Sequence, residues 1–165
     1  MDREKKLILI ANCILNQNSV VKPLARAKGA YNDIVKEIID KDIGIIQLPC
    51  AEFRYLGENR PSMTKKEYDT FEFRDLCKNL AQEMITQIKE YLKHGYKIVG
   101  LIGINQSPTC DISGDRGIFM EELFYFLNKE DIEIPTIEIP TYYRENEKNK
   151  DFLKDFKLFL TSSIY

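Results

Sequence analysis

No apolar run in these 165 residues approaches the roughly 20 that a membrane span needs. The start, MDREKK, is charged, and the apolar stretch after it, Leu7–Ile10, is far too short for the core of a secretion signal. A cytoplasmic protein without membrane contact is expected. Charge of one sign is also missing: 24 Lys and Arg against 26 Asp and Glu leave a net −2. With no basic patch, this argues against a duplex nucleic-acid partner. Closely spaced cysteine runs of the ferredoxin type are absent, as are dinucleotide and Walker fingerprints, internal repeats and low-complexity segments. Histidine occurs once, at His94. What is present is ordinary for a globular chain, 44% hydrophobic and 30% charged. The length suits one domain, 1–165, with a sizeable core. Four cysteines in a reducing compartment read as thiols that pack, react or bind metal, not as a disulfide framework.

Short apolar runs alternate with helical patterns. Lys6–Ala11, Ile43–Leu48, Lys97–Ile104 and Ile134–Ile139 read as buried strands. Tyr31–Asp42, Phe73–His94, Ile118–Asn128 and Lys148–Thr161 read as helices from apolar spacing such as Phe73, Leu76, Cys77, Leu80, Met84, Ile88 and Leu92. In the first of these helices Ile34, Ile38 and Ile39 share one side. Gly95 is placed to cap the longest helix. Asn12–Gly29 looks irregular, and Ala51–Thr70 reads as a loop, lid-like over about residues 51–72. The alternation predicts an α/β fold: a flavodoxin-like or Rossmann-like three-layer sandwich with a mostly parallel sheet of four to five strands.

Sites in open parallel sheets lie beyond the carboxyl ends of the strands. Asn12-Cys13 follows the first strand, Pro49-Cys50-Ala51-Glu52 the second, and Asn105-Gln106-Ser107-Pro108-Thr109-Cys110 the third. Three of four cysteines are thus expected at one edge of the sheet. The alternative is three small buried hydrophobes; Cys77, on a helical apolar stripe, has that reading by itself. His94 falls on the amino side of the sheet, as a surface or capping residue, and supplies no fourth ligand. Three thiolates with one open position suit either catalytic zinc or a [4Fe–4S] cluster with one free iron, and spacing does not separate the two.

Near these cysteines, Glu52 has the chemistry of a general acid or base, or is a solvated loop carboxylate. Ser107 orients a substrate or water, or caps a turn before Pro108. Asn12, Asn16 and Asn105 are candidate hydrogen-bond donors to a ligand. Arg54, Tyr55, Arg60 and Tyr68 are candidates to cover a small planar substrate from the lid. The segment Gly114-Asp115-Arg116-Gly117 reads as a helix N-cap before it reads as an anion site.

Together, ANCILNQNS, IIQLPCAEFRYLG, KKEYD and GINQSPTC resemble the thiouracil desulfidase (TudS) family and its short single-domain relatives, over most of the chain. The resemblance implies a Rossmann-like domain with a [4Fe–4S] cluster held by Cys13, Cys50 and Cys110, its fourth iron open to the sulfur of a thiocarbonyl. It implies that Glu52 moves a proton and activates water, and that Ser107 positions substrate or assists protonation. The implied partner is a small sulfur-containing substrate, with C=S replaced by C=O. The chain departs from the family where Gln106 and Asp111 stand in place of a small residue such as Gly, and Ala51 in place of Pro. A sulfide or cluster carrier serving a thiolation partner, and a zinc-bound α/β protein, are the competing readings.

Overall fold

The computed structural model describes residues 1–147 and 149–164. Four strands, β1 (Lys6–Ile10), β2 (Gly44–Gln47), β3 (Lys97–Ile104) and β4 (Thr136–Ile139), form one sheet. Their order is β2-β1-β3-β4 and every pairing is parallel. This is an α/β fold with the flavodoxin-like strand order, and among the described residues the sheet has four strands. β4 begins one residue after Pro135, which lacks an N–H and gives only its carbonyl, to Leu101.

Alternation along the strands splits the core in two. Leu7, Leu9, Ile98 and Leu101 face α5 (Phe71–Lys93) and α6 (Ile118–Lys129). Ile8, Ile10, Val99 and Ile102 face α2 (Asn32–Ile39) and α7 (Lys150–Ile164). The layers are therefore helix, sheet, helix, as the sequence leads one to expect. Cys77 is fully buried on α5 among Phe73, Leu80 and Ala81. Ile39 departs from its expected side: it is the last residue of α2 and 58% exposed, while Ile34 and Ile38 are buried. The last helix was expected from Lys148, which lies outside the described residues; it is seen over Lys150–Ile164.

The irregular stretch after β1 contains a one-turn helix, α1 (Asn12–Leu15), and two short 3-10 turns, Gln17–Ser19 and Lys22–Leu24. The expected lid is corrected more strongly. It contains α3 (Ala51–Leu56) and α4 (Lys65–Tyr68). Thr64 and Glu67 form a capping box on α4, and the Cys50 side chain caps α3. Helices of four and six residues are too short to show a period in sequence.

Candidate functional site

β1 and β3 are neighbours whose onward connections leave on opposite faces, so a crevice opens past their carboxyl ends. A cavity of about 160 Å³ lies there. Cys13, Cys50 and Cys110 all line it, with Asn12, Glu52, Asn105 and Ser107. Each cysteine arrives by a different local device. Cys13 sits in the single turn of α1, Cys50 is the residue before α3, and Cys110 closes a tight loop after β3.

The Cys110 loop is fixed from several sides. Ile104 donates its N–H to the Cys110 carbonyl at 2.9 Å. Ser107 Oγ accepts the N–H groups of Thr109 at 3.3 Å and Cys110 at 3.0 Å. Ser107 therefore does cap the turn, as one of its two readings held. Gln106 has φ +61°, in the left-handed region, and buried Asp111 accepts its N–H at 2.6 Å and that of Gly114 at 2.7 Å. The small residue that the resemblance led us to expect at 106 fits this backbone; here Asp111 holds Gln106 in it instead. Gly117, the residue before α6, lies against the same loop. A Cβ there would stand 2.1 Å from the Thr109 carbonyl carbon.

All three thiols are free and none is paired in a disulfide. Burial, then the nearby Cys50 charge, pushes the Cys13 thiol up to about 12. Burial raises Cys50 too, offset in part by the Phe53 N–H that its sulfur accepts at 3.5 Å. Cys110 is raised well above the usual thiol range by burial, then by the charges of Cys13 and Cys50. Metal loading must displace the protons of all three thiols.

Glu52 lies in the first turn of α3 and is 9% exposed. Its Oε2 accepts Nε and Nη2 of Arg60 at 3.4 and 3.3 Å, and its Oε1 accepts the Thr109 hydroxyl at 2.8 Å. It is a buried, paired carboxylate and not a solvated one. Arg60 is the pivot. Besides Glu52 it donates to the Ser19 carbonyl at 2.7 Å and the Gly57 carbonyl at 3.1 Å. It was a candidate cover for substrate, but it points inward. Tyr68 also turns in, 1% exposed and stacked near Phe73 with ring centroids 4.7 Å apart.

Asn16, Arg54 and Tyr55 are not among the residues lining the cavity. Asn16 is exposed and its side chain accepts the Asn18 N–H. Arg54 and Tyr55 lie on the exposed side of α3, with Tyr55 leaning on Phe73 at 5.2 Å. His94 ends α5 at the amino side of the sheet, as expected.

No protein-family profile matches the chain, and no solved structure matches it. Over 145 residues, 88% of this chain and 90% of the relative, it is 49% identical to "Uncharacterized protein MJ0003" of Methanocaldococcus jannaschii. The chain belongs to the MJ0003 family. In this MJ0003 relative the structure brings in residues that sequence reasoning passed over. Thr109, Gln17, Arg26 and Tyr31 line the cavity. Gln17 donates to the Cys13 carbonyl at 2.8 Å and accepts the Arg26 N–H at 2.8 Å. Arg26 also donates to the Pro140 carbonyl at 2.7 Å, 114 residues away. Thr109 had a local signal, its place beside Cys110; Arg26 had none.

The donor set has the softness a thiophilic metal group needs: three thiols, each from a separate strand end, on one cavity. Among the described residues no three His, Cys, Asp or Glu side chains are grouped to hold a metal ion. Zinc draws its ligands onto one centre at about 2.3 Å from sulfur. A cluster takes one thiolate on each of several irons, so its three ligands need not converge on one centre.

Proposed function

We propose that this protein is a desulfidase, replacing C=S by C=O in a small thiocarbonyl compound of the thiouracil type. In this reading Cys13, Cys50 and Cys110 hold a [4Fe–4S] cluster. The observation that carries it is the convergence of three thiols and one buried, ion-paired carboxylate on a single cavity at the sheet's switch point. The resemblance of the same segments to the thiouracil desulfidase family supports it.

The cluster, when bound, would supply an open iron that takes the substrate sulfur as a Lewis base. The chain's own residues do the rest. Val20, Val21 and Leu24 give the cavity an apolar wall against which a planar ring can lie. Asn12 and Asn105, also lining it, offer amide groups to ring oxygen or nitrogen. Glu52 takes a proton from the attacking water. Arg60 holds that carboxylate in place, since its guanidinium bonds Glu52 and two backbone carbonyls. The overall change is C=S plus H₂O to C=O plus H₂S, with no electrons gained or lost.

The test is anaerobic reconstitution followed by iron, sulfide and zinc analysis, then turnover of thiouracil in ¹⁸O-labelled water. We expect about four iron and four sulfide per chain, loss of both in Cys13→Ser, Cys50→Ser or Cys110→Ser but not in Cys77→Ser, and label in the product carbonyl. A protein that takes up no iron, or takes zinc instead, overturns the reading. Iron uptake with retained sulfide and no carbonyl product points to a carrier.

A further inference from the structure

Thr109 is 3% exposed and has one hydroxyl hydrogen, yet its Oγ1 has three polar neighbours. Glu52 Oε1 lies at 2.8 Å, Ser107 Oγ at 3.3 Å and Cys110 Sγ at 3.7 Å. The hydrogen goes to the carboxylate, the shortest contact and the strongest acceptor. Ser107 Oγ already accepts two backbone N–H groups, from Cys110 and Thr109. Both its lone pairs are engaged, so what it has left to give is its hydrogen. The chain of bonds therefore has a direction: Ser107 donates to Thr109, and Thr109 donates to Glu52.

We propose that Thr109 is the proton relay between Ser107 and Glu52. The proposal rests on the desulfidase reading and deepens it. Glu52, once it has taken a proton from water, donates through its carboxyl O–H to Thr109 Oγ1. As the Ser107 hydrogen leaves for the departing sulfur, the electron pair it frees on Oγ accepts the Thr109 hydrogen. Each hydroxyl gives one proton and gains one. The net result is one proton moved from the Glu52 carboxyl to sulfide, with no change of oxidation state. The two backbone N–H groups on Ser107 Oγ stabilise the charge that gathers there during transfer. Water thus enters by the carboxylate and the proton leaves by the serine, so that neither group has to reach both atoms.

Thr109→Val keeps the side-chain shape and removes the hydroxyl; Thr109→Ser keeps the hydroxyl. We expect the Val variant to bind iron and sulfide like the wild type, to turn thiouracil over about 10²-fold more slowly, and to leave KM within about twofold. The Ser variant should recover at least about tenfold of that loss. A solvent deuterium effect on kcat present in the wild type should change in the Val variant. In metal-free protein, urea unfolding of Thr109→Val, Glu52→Ala and the double variant should be non-additive, because both substitutions remove the same bond. A Val variant as fast as the wild type, one that loses iron, a Ser variant that rescues nothing, or additive stabilities would each overturn the relay. A wild type that binds iron but leaves thiouracil untouched overturns the desulfidase reading and the relay with it. An active wild type with an equally active Val variant overturns the relay alone.

Discussion

The two ends of the sheet are built on different principles. At the amino end, three turns lead from a helix into a strand and all three are the same device. Asp42, Gly95 and Asp131 have φ of +55°, +75° and +54°. In each, the next residue donates its N–H five residues back: Ile43 to Ile38, Tyr96 to Tyr91, Ile132 to Leu127. These are Schellman caps, closed entirely within a few residues. At the carboxyl end the bonds that matter span tens of residues: Arg60 to Ser19, Glu52 to Thr109, Lys65 to Asp115, Arg26 to Pro140. The caps at one end each close locally, and the other end is a network. A local change at the first should stay local, while a local change at the second should be felt across the cavity.

The largest effect expected is at Arg60. Arg60→Leu leaves Glu52 buried without its ion pair, and urea unfolding should show a loss of about 3–5 kcal/mol. Adding Glu52→Leu should restore most of it; a double variant as weak as the single would mean that the pair is not the cause. Next comes Gly117→Ala, whose methyl group meets the Thr109–Cys110 backbone. It should cost about 1–3 kcal/mol and lower iron uptake on reconstitution, although residue 117 bears no polar side chain. Unchanged uptake would show that the cysteine loop adapts freely. The opposite sign is expected at the amino end. Asp42→Gly or Asp131→Gly relieves a left-handed side chain and should raise stability by up to about 1 kcal/mol, some 2–4 °C in Tm. Iron uptake should not move, and any change there would break the contrast drawn above.

The smallest effect concerns pH. Burial, then the charge of Glu52, pushes the Tyr68 hydroxyl up to about 12 from an ordinary 10, and burial followed by the Glu122 charge pushes the Cys77 thiol up to about 12 from 9. Both groups are neutral acids whose folded pKa is raised. Their contribution is whole below pH 9 and is lost as pH climbs toward 12. Metal-free protein should therefore unfold more easily at pH 10.5 than at pH 8. Cys77→Val should flatten the decline from pH 9, and Tyr68→Phe only above pH 10. An unchanged slope in both variants would place the alkaline sensitivity elsewhere.

The same contrast explains what could be read from sequence. β3 is found at its expected limits, because eight consecutive residues, seven of them buried, leave one interpretation. Gly95 and His94 at the end of α5 followed from local capping rules. The meeting of Cys13, Cys50 and Cys110 was legible only because the strand order converts distant positions into neighbours. Glu52 was found by its closeness to Cys50, but its burial was not, since its partner Arg60 stands eight residues on in a segment with no periodicity. Arg54, Tyr55 and Asn16 show the converse: nearness in sequence to a cysteine does not put a side chain on the cavity when a single helical turn sends it outward. The Arg26 side chain is held by the carbonyl of Pro140, which follows β4, a contact without any sequence trace.

Arg60 ties together three stretches of chain, at Ser19, at Gly57 and at Glu52. Lifting residues 57–60 away from the core would carry the Arg60 cation out and leave the buried Glu52 anion without its partner. If that costs about 4 kcal/mol, such an opening is visited by about one molecule in a thousand. The segment that looks like a door is on this arithmetic a rivet. Traffic to the cysteines is then left to the part of the rim where Val20, Val21 and Leu24 carry no charge to separate. Bulky side chains placed at Leu24 should slow arrival of ligand, whereas a disulfide-like clamp across 57–60 should leave it untouched.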